Sequence, residues 1–142
     1  MRTVYLDTSV PVAALADEPL GSSARRAIAS DRGGRPLISD WVVTEFSSAI
    51  ALKVRSGKLA EADAHRIIAF FHEVAAEFEH LPVERSHFYR AAEFCRAFST
   101  GLRGPDALHL AIGEAAGALI LTLDTGMDTA GAALGVEGSR IA

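Results

Sequence analysis

The run ALILTL at residues 118–123 constrains the fold more than any other stretch of this chain. It is apolar without alternation, as strands covered on both faces of a parallel sheet are. Parallel neighbours need crossover connections, usually helices. The rest of the chain supplies both parts. Further strand candidates lie at Val4–Leu6, at PLIS (36–39) and at EHLPV (79–83). The last belongs at an edge, because Pro82 cannot donate to a ladder.

Between them lie helical stretches. VPVAALADE follows the first strand, with Ser9 as candidate N-cap and Pro11 in the first turn. PLGSSARRAIAS predicts a second helix, stopped by DRGGRP. In WVVTEFSSAIALKVRSGK the residues Val43, Phe46, Ser47, Ile50 and Val54 fall near helical spacing, and Gly57 ends the element. AEADAHRIIAFFHEVAAEF, ERSHFYRAAEFCRAFS, PDALHLAIGEAAG and GMDTAGAALG complete the set, the third opening on Pro105 in its first turn. This alternation predicts a three-layer α/β fold with a mainly parallel central sheet flanked by helices, in a single domain over residues 1–142. Neither repeats nor low-complexity segments interrupt it.

With 49% hydrophobic residues, a chain of 142 can bury a sizeable core. No apolar run approaches the ~20 residues that cross a bilayer. The N-terminus shows no basic segment leading into an apolar leader. Cys95 is the only cysteine and cannot pair within the chain. These features fit a cytoplasmic protein. The net charge of −4 is concentrated: basic and acidic residues balance up to Gly104, whereas Asp106, Glu114, Asp124, Asp128 and Glu137 face Arg140 alone. Such a chain grips nucleic acid only through local basic patches or a bridging cation.

Ligands in open parallel sheets bind outside the carboxyl ends of the strands. Asp7 directly follows the first strand, and Asp124 directly follows ALILTL. Alone, either could be an ordinary helix cap or turn residue. Asp106 opens its helix, where the helix dipole favours an acid. Leu108, Ala111, Ile112 and Ala115 form that helix's apolar stripe, leaving Asp106, His109 and Gly113 on the other face. Glu45 lies one turn into its helix, off the apolar stripe, on a face shared with Trp41 and Leu52. Four carboxylates from four segments at ~5 Å spacing would repel by about 3 kcal/mol per pair at an effective dielectric of ~20. A hard divalent cation such as Mg²⁺ or Mn²⁺ removes that conflict, and such ions serve phosphodiester cleavage.

LDTSV, TEF and RGPDALHLAIGEAAGALILTLD, in this order and spacing, resemble the PIN-domain ribonucleases, with the VapC-type toxins of toxin–antitoxin pairs as the nearest likeness. The resemblance covers essentially the whole chain, and PDALHLA followed by a strand and Asp is its most specific part. It implies a five-stranded parallel sheet flanked by helices. It implies an Mg²⁺- or Mn²⁺-dependent endoribonuclease whose acidic quartet is Asp7, Glu45, Asp106 and Asp124, with Asp7 and Asp106 at the positions tied most firmly to metal. Ser9 matches a small hydroxyl position near the metal. The implied partners are an RNA substrate, a cognate antitoxin whose C-terminal segment crosses the active-site groove, and a second copy in a homodimer; no membrane is involved. One departure stands out: after Asp124 the chain reads DTGMDTAG, without positive charge, and Asp128 is an additional acid.

Arg103, just before the Asp106 helix, is a candidate phosphate contact. Lys53, Arg55 and Lys58 form one basic group and Arg25, Arg26, Arg32 and Arg35 another; charged surface explains both as well. His65, His72, His80, His87 and His109 show no paired metal-ligand spacing. His109 follows Asp106 by one turn, where it could touch the site, and packing or surface is its plainer role. Phe70, Phe71, Phe78, Phe88, Phe94 and Phe98 read as core or partner surface, not as a base-stacking platform. Two enzyme or signalling alternatives fail on single residues. A phosphatase with a nucleophilic Asp needs an acid two residues on, where Ser9 stands. A receiver domain needs a late Lys, and none follows Lys58. A catalytically silent PIN-like module that binds RNA or protein is the remaining alternative.

Overall fold

The computed structural model describes residues 3–30 and 35–141. In chain order the elements are β1 (Val4–Leu6), α1 (Ser9–Leu15), α2 (Gly21–Ala29), β2 (Leu37–Ser39), α3 (Asp40–Arg55) and α4 (Glu61–Ala75). Then come β3 (Glu79–Leu81), α5 (Arg85–Cys95), α6 (Gly104–Ala115), β4 (Leu119–Thr122), α7 (Thr125–Ala133) and β5 (Gly138–Arg140). The sheet order is β3-β2-β1-β4-β5, and every pairing is parallel.

The burial of each strand follows its place in that order. β1 sits centrally, with Tyr5 in register with Leu37 on one side and Ile120 on the other. Val4, Tyr5 and Leu6 are all buried, as are Leu37, Ile38 and Ser39 of β2. β3 lies at the edge with Glu79 and His80 exposed, where Pro82 placed it. The opposite edge strand, β5, has no apolar run to announce it: Gly138–Arg140 reads Gly-Ser-Arg. It was therefore not located from the sequence.

The helices seal the sheet through large side chains. Phe46 of α3 and Phe71 of α4 stack with centroids 4.0 Å apart. Both are fully buried, as are Ile50, Ile112, Ile120 and Met127. Each such side chain stabilises the fold by roughly 1.5–3 kcal/mol relative to exposure.

Two helices depart from their expected pattern. α5 stops at Cys95, and a 3-10 turn at Phe98–Thr100 replaces its last turn. α6 is buried almost all round, from Ala107 through Gly113, while Ala115 is exposed. Its expected polar face is thus interior, because β1 and β4 cover it. Gly113 makes this approach possible: a Cβ there would lie 2.5 Å from Ile120 Cδ1.

The chain builds β2 and β3 on one side of β1, then returns to place β4 and β5 on the other. The order reverses beside β1, and the crevice between the carboxyl ends of β1 and β4 is where open parallel sheets bind ligands.

Candidate active site

Asp7 stands at that crevice. It leaves β1 only 3% exposed, and its N–H still donates to Leu121 O at 3.2 Å. Its Oδ1 accepts the Ser9 N–H at 3.0 Å and the Ser9 hydroxyl. Ser9 Oγ in turn accepts the Leu123 N–H at 3.0 Å, which ties the end of β1 to the end of β4. Ser9 is therefore not the expected N-cap. It is the first residue of α1, Thr8 precedes it as cap, and neither side chain caps the helix. Burial pushes the Asp7 carboxyl up, with the Ser9 and Thr122 hydroxyls pulling the other way.

Asp106 lies in the first turn of α6, half-buried. Burial raises its pKa first, and the charges of Asp124, Asp7 and Glu45 raise it further, against an opposing contribution from His109. The charges of the other three acids of the predicted quartet thus all bear on Asp106. Asp124 contributes from the N-cap of α7, where its Oδ1 accepts the Met127 N–H at 3.2 Å. The capping and the clustering interpretations of Asp124 hold together.

Glu45 reaches the cluster from α3. Burial would raise its pKa, but hydrogen bonding to His109, the His109 charge and the Thr8 hydroxyl outweigh it and hold the carboxyl below its usual range. What shields Glu45 differs from the sequence-based expectation. Of the two residues that share its face, Leu52 is 58% exposed, whereas Trp41 is partly buried against the core. The shield is His109, only 2% exposed, whose Nε2 meets Glu45 Oε1 and whose Nδ1 meets the Tyr5 hydroxyl at 2.8 Å. Thr8 Oγ1 donates to the same Glu45 oxygen at 2.7 Å.

Tyr5, Thr8, Ser39 and His109 are thus site residues that sequence reasoning missed or placed on packing grounds. One signal was available: a Tyr inside a wholly buried strand needs a partner for its hydroxyl.

Among the described residues no three His, Cys, Asp or Glu side chains already form a metal-holding group. The donor chemistry nevertheless suits a hard cation. The cluster offers carboxylate oxygens, and its like charges raise Asp106, a conflict that a divalent ion relieves.

The remaining candidates separate. Arg103 is exposed at the N-cap position of α6, beside the cluster. Asp128 lies near Gly138 of β5, and it is absent from the charges acting on Asp106. Lys53 pairs with Glu18 across α3 and the α1–α2 turn, and Arg25 donates to Ala14 O at 2.9 Å, so both serve the fold. Arg32 lies outside the described residues.

A parallel sheet with four acids gathered at its carboxyl edge defines an α/β domain of the kind that handles ligands at a strand-order reversal. The chain belongs to the PIN-domain family: the model of that family, described as PIN domain, matches residues 4–132. The chain is similar in fold to VapBC2 from Rickettsia felis, solved with a DNA fragment from its promoter, at 13% identity, TM-score 0.73, and coverage of 97% of this chain and 98% of that one. It is also similar to VapC20 of Mycobacterium tuberculosis, a sarcin-ricin loop cleaving toxin, at 20% identity, TM-score 0.71, and coverage of 91% and 95%. A third likeness is to a toxin–antitoxin complex from Klebsiella pneumoniae, at 14% identity, TM-score 0.62, and coverage of 89% and 90%. Comparison with curated proteins gives no match.

Proposed function

We propose that this PIN domain is a metal-dependent endoribonuclease that acts as the toxin of a toxin–antitoxin pair. The observation that carries the proposal is the placement of the four acids: Asp7 directly after β1, Asp124 at the N-cap of α7 just after β4, Asp106 in the first turn of α6, and Glu45 on α3, held by Thr8 and His109. Maintaining such a cluster costs stability unless a cation joins it. Asp7 and Asp106 would hold Mg²⁺ or Mn²⁺, with Glu45 and Asp124 completing its surroundings and orienting water. When bound, the ion lowers the pKa of a water and stabilises charge on the scissile phosphate.

The chain's own residues do the positioning. Ser9 fixes Asp7 against the end of β4. The α6 N-terminus, with Arg103 exposed beside it, would offer backbone N–H groups and a guanidinium to a phosphate. The loop after Asp124 supplies no positive charge, which leaves Arg103, just before the Asp106 helix, as the candidate phosphate contact.

Control by a cognate antitoxin and pairing with a second copy are proposed on the same footing. The fold is shared with proteins described as VapBC and as a toxin–antitoxin complex. On this chain, Trp41, Phe88, Ala91, Cys95, Pro105 and Leu108 line an apolar groove of about 380 Å³ next to Asp106. Phe88 and Tyr89 of α5 and Phe98 of the turn that follows it are 54%, 60% and 86% exposed. Exposed aromatics of this kind mark partner surfaces.

The test is cleavage of structured RNAs by purified protein freed of antitoxin, with Mn²⁺ or with chelator, alongside Asp106→Asn. Ion-dependent cleavage lost in the variant supports the proposal. Equal cleavage by both proteins would sink it, and inertness of both would favour a binding module.

A further inference from the structure

A line of hydrogen bonds runs beneath the acidic cluster. Ser39 Oγ meets the Tyr5 hydroxyl at 2.8 Å, Tyr5 meets His109 Nδ1 at 2.8 Å, and His109 Nε2 meets Glu45 Oε1. Ser39 and Tyr5 are fully buried and His109 nearly so. The line joins β2, β1, α6 and α3, and it ends on a side chain of the proposed site.

Proton bookkeeping fixes its direction. A carboxylate only accepts, and Glu45 Oε1 already accepts the Thr8 hydroxyl at 2.7 Å. The Nε2 facing that oxygen must therefore carry a hydrogen. Thr8 Oγ1 lies 3.3 Å from the same Nε2, so this N–H sits between two oxygens. In the neutral ring the lone pair is then on Nδ1, where the Tyr5 O–H donates. The Tyr5 oxygen accepts from Ser39. Every buried polar atom in the line is satisfied in this one arrangement. The opposite tautomer would set a lone pair against the carboxylate.

Two donors thus converge on Glu45 Oε1, and Oε2 has no hydrogen-bond partner among the described residues. We infer that His109 is a positioning residue: Tyr5 and Ser39 hold it in the Nε2–H form, and it fixes Glu45 through Oε1 so that Oε2 alone faces a bound divalent ion or its water. The ion-facing part rests on the function proposed above. Outer partners of this kind orient metal-binding side chains.

Asn and Gln separate the two ends of the imidazole. Asn can replace Nδ1 as acceptor for Tyr5 but cannot reach Glu45; Gln can supply the donor to Glu45. Mn²⁺ affinity is measured by calorimetry on the full chain, with the melting temperature recorded without metal. His109→Asn is expected to weaken Mn²⁺ binding roughly 10- to 100-fold, and His109→Gln by no more than about threefold. Thr8→Val, at a half-buried hydroxyl, gives a second reading if the Asn variant does not fold; it is expected to weaken binding several-fold. Nitrogen-15 NMR of the wild-type imidazole, without any ion and at a pH where the ring carries a single hydrogen, is expected to show that hydrogen on Nε2.

A singly protonated ring with its hydrogen on Nδ1 and none on Nε2 would overturn the inference whatever the ion does. So would wild-type affinity in Thr8→Val and in a folded His109→Asn. If Asn and Gln lower the melting temperature equally and leave affinity alike, His109 is only a packing residue and the inference fails. A wild-type protein that binds no Mn²⁺ overturns both this ion-facing role and the metal reading it rests on, whereas binding that the variants leave untouched overturns the positioning role alone.

Discussion

The Ser9 hydroxyl gives its proton to Asp7 Oδ1 while receiving the Leu123 N–H at 3.0 Å. One side chain thus joins the ends of the two central strands, 114 residues apart, at the carboxylate buried deepest in the cluster. Ser9→Ala removes both bonds and leaves the Leu123 N–H unpaired. The expected cost is about 1–2 kcal/mol of stability, read as a lower melting temperature, together with weaker Mn²⁺ binding. Ser9→Thr keeps the hydroxyl and is expected to retain most of both. Equal losses in the Ala and Thr variants would show that space, not the hydroxyl, matters there.

Asp106→Asn should do opposite things to activity and to stability. Cleavage is expected to fall by ~100-fold or more, as when an ion's stabilisation of the transition state is lost. The metal-free protein is expected to melt higher, by about 3 °C for ~1 kcal/mol in a domain of this size. Burial and the neighbouring acids raise the Asp106 pKa in the folded state. A raised carboxyl contributes favourably below the unfolded value of ~3.9, and that contribution is lost as pH rises through the folded value. Asn does not titrate. Its advantage is therefore small near pH ~4 and grows as pH rises through the folded value. Melting curves across that range, in chelator, check the sign.

Much of this was legible in the sequence because it was local. ALILTL announced a central strand, and the acids at strand ends and in first helical turns announced the cluster. Pro82 foretold an edge. What was missed depended on contacts distant in sequence. The sequence sets Trp41 and Leu52 on the face of Glu45, yet His109, 64 residues on, is the side chain that bonds to it. The shared face of Asp106, His109 and Gly113 predicts an amphipathic α6; packing on β1 and β4 buries two of the three. β5 escaped because a three-residue edge strand of Gly, Ser and Arg has no hydrophobic period to detect.

Gly113 illustrates how the fold sets the site. α6 can lie close enough for His109 to reach Tyr5 only because no side chain projects from Gly113 into Ile120. Gly113→Ala places a methyl 2.5 Å from Ile120 Cδ1. Gains in helix propensity of ~1 kcal/mol would favour Ala on an exposed face. Here overpacking, typically costing about 1–3 kcal/mol, should win, giving a net lower melting temperature. Adding Ile120→Val removes that Cδ1 and should recover part of the loss, a non-additivity expected of touching residues. A Gly113→Ala protein as stable as wild type would mean that α6 shifts freely, which should then appear as weakened Mn²⁺ binding.

Metal and stability are linked through the same cluster. An ion that binds the folded chain and not the unfolded one raises stability by RT ln(1 + [L]/Kd), or about 2.7 kcal/mol at ~100-fold excess over Kd. Mn²⁺ at that excess should therefore raise the melting temperature of the wild type by roughly 5–10 °C for a domain of this length. Asp106→Asn should lose most of that rise despite starting from a higher metal-free value. The two curves are thus expected to cross as Mn²⁺ is added. A general salt effect would move both proteins together and equally with Na⁺ at matched ionic strength. Differential melting with Mn²⁺, Mg²⁺, Na⁺ and chelator separates these outcomes, and parallel curves without a crossing would remove Asp106 from the ion's surroundings.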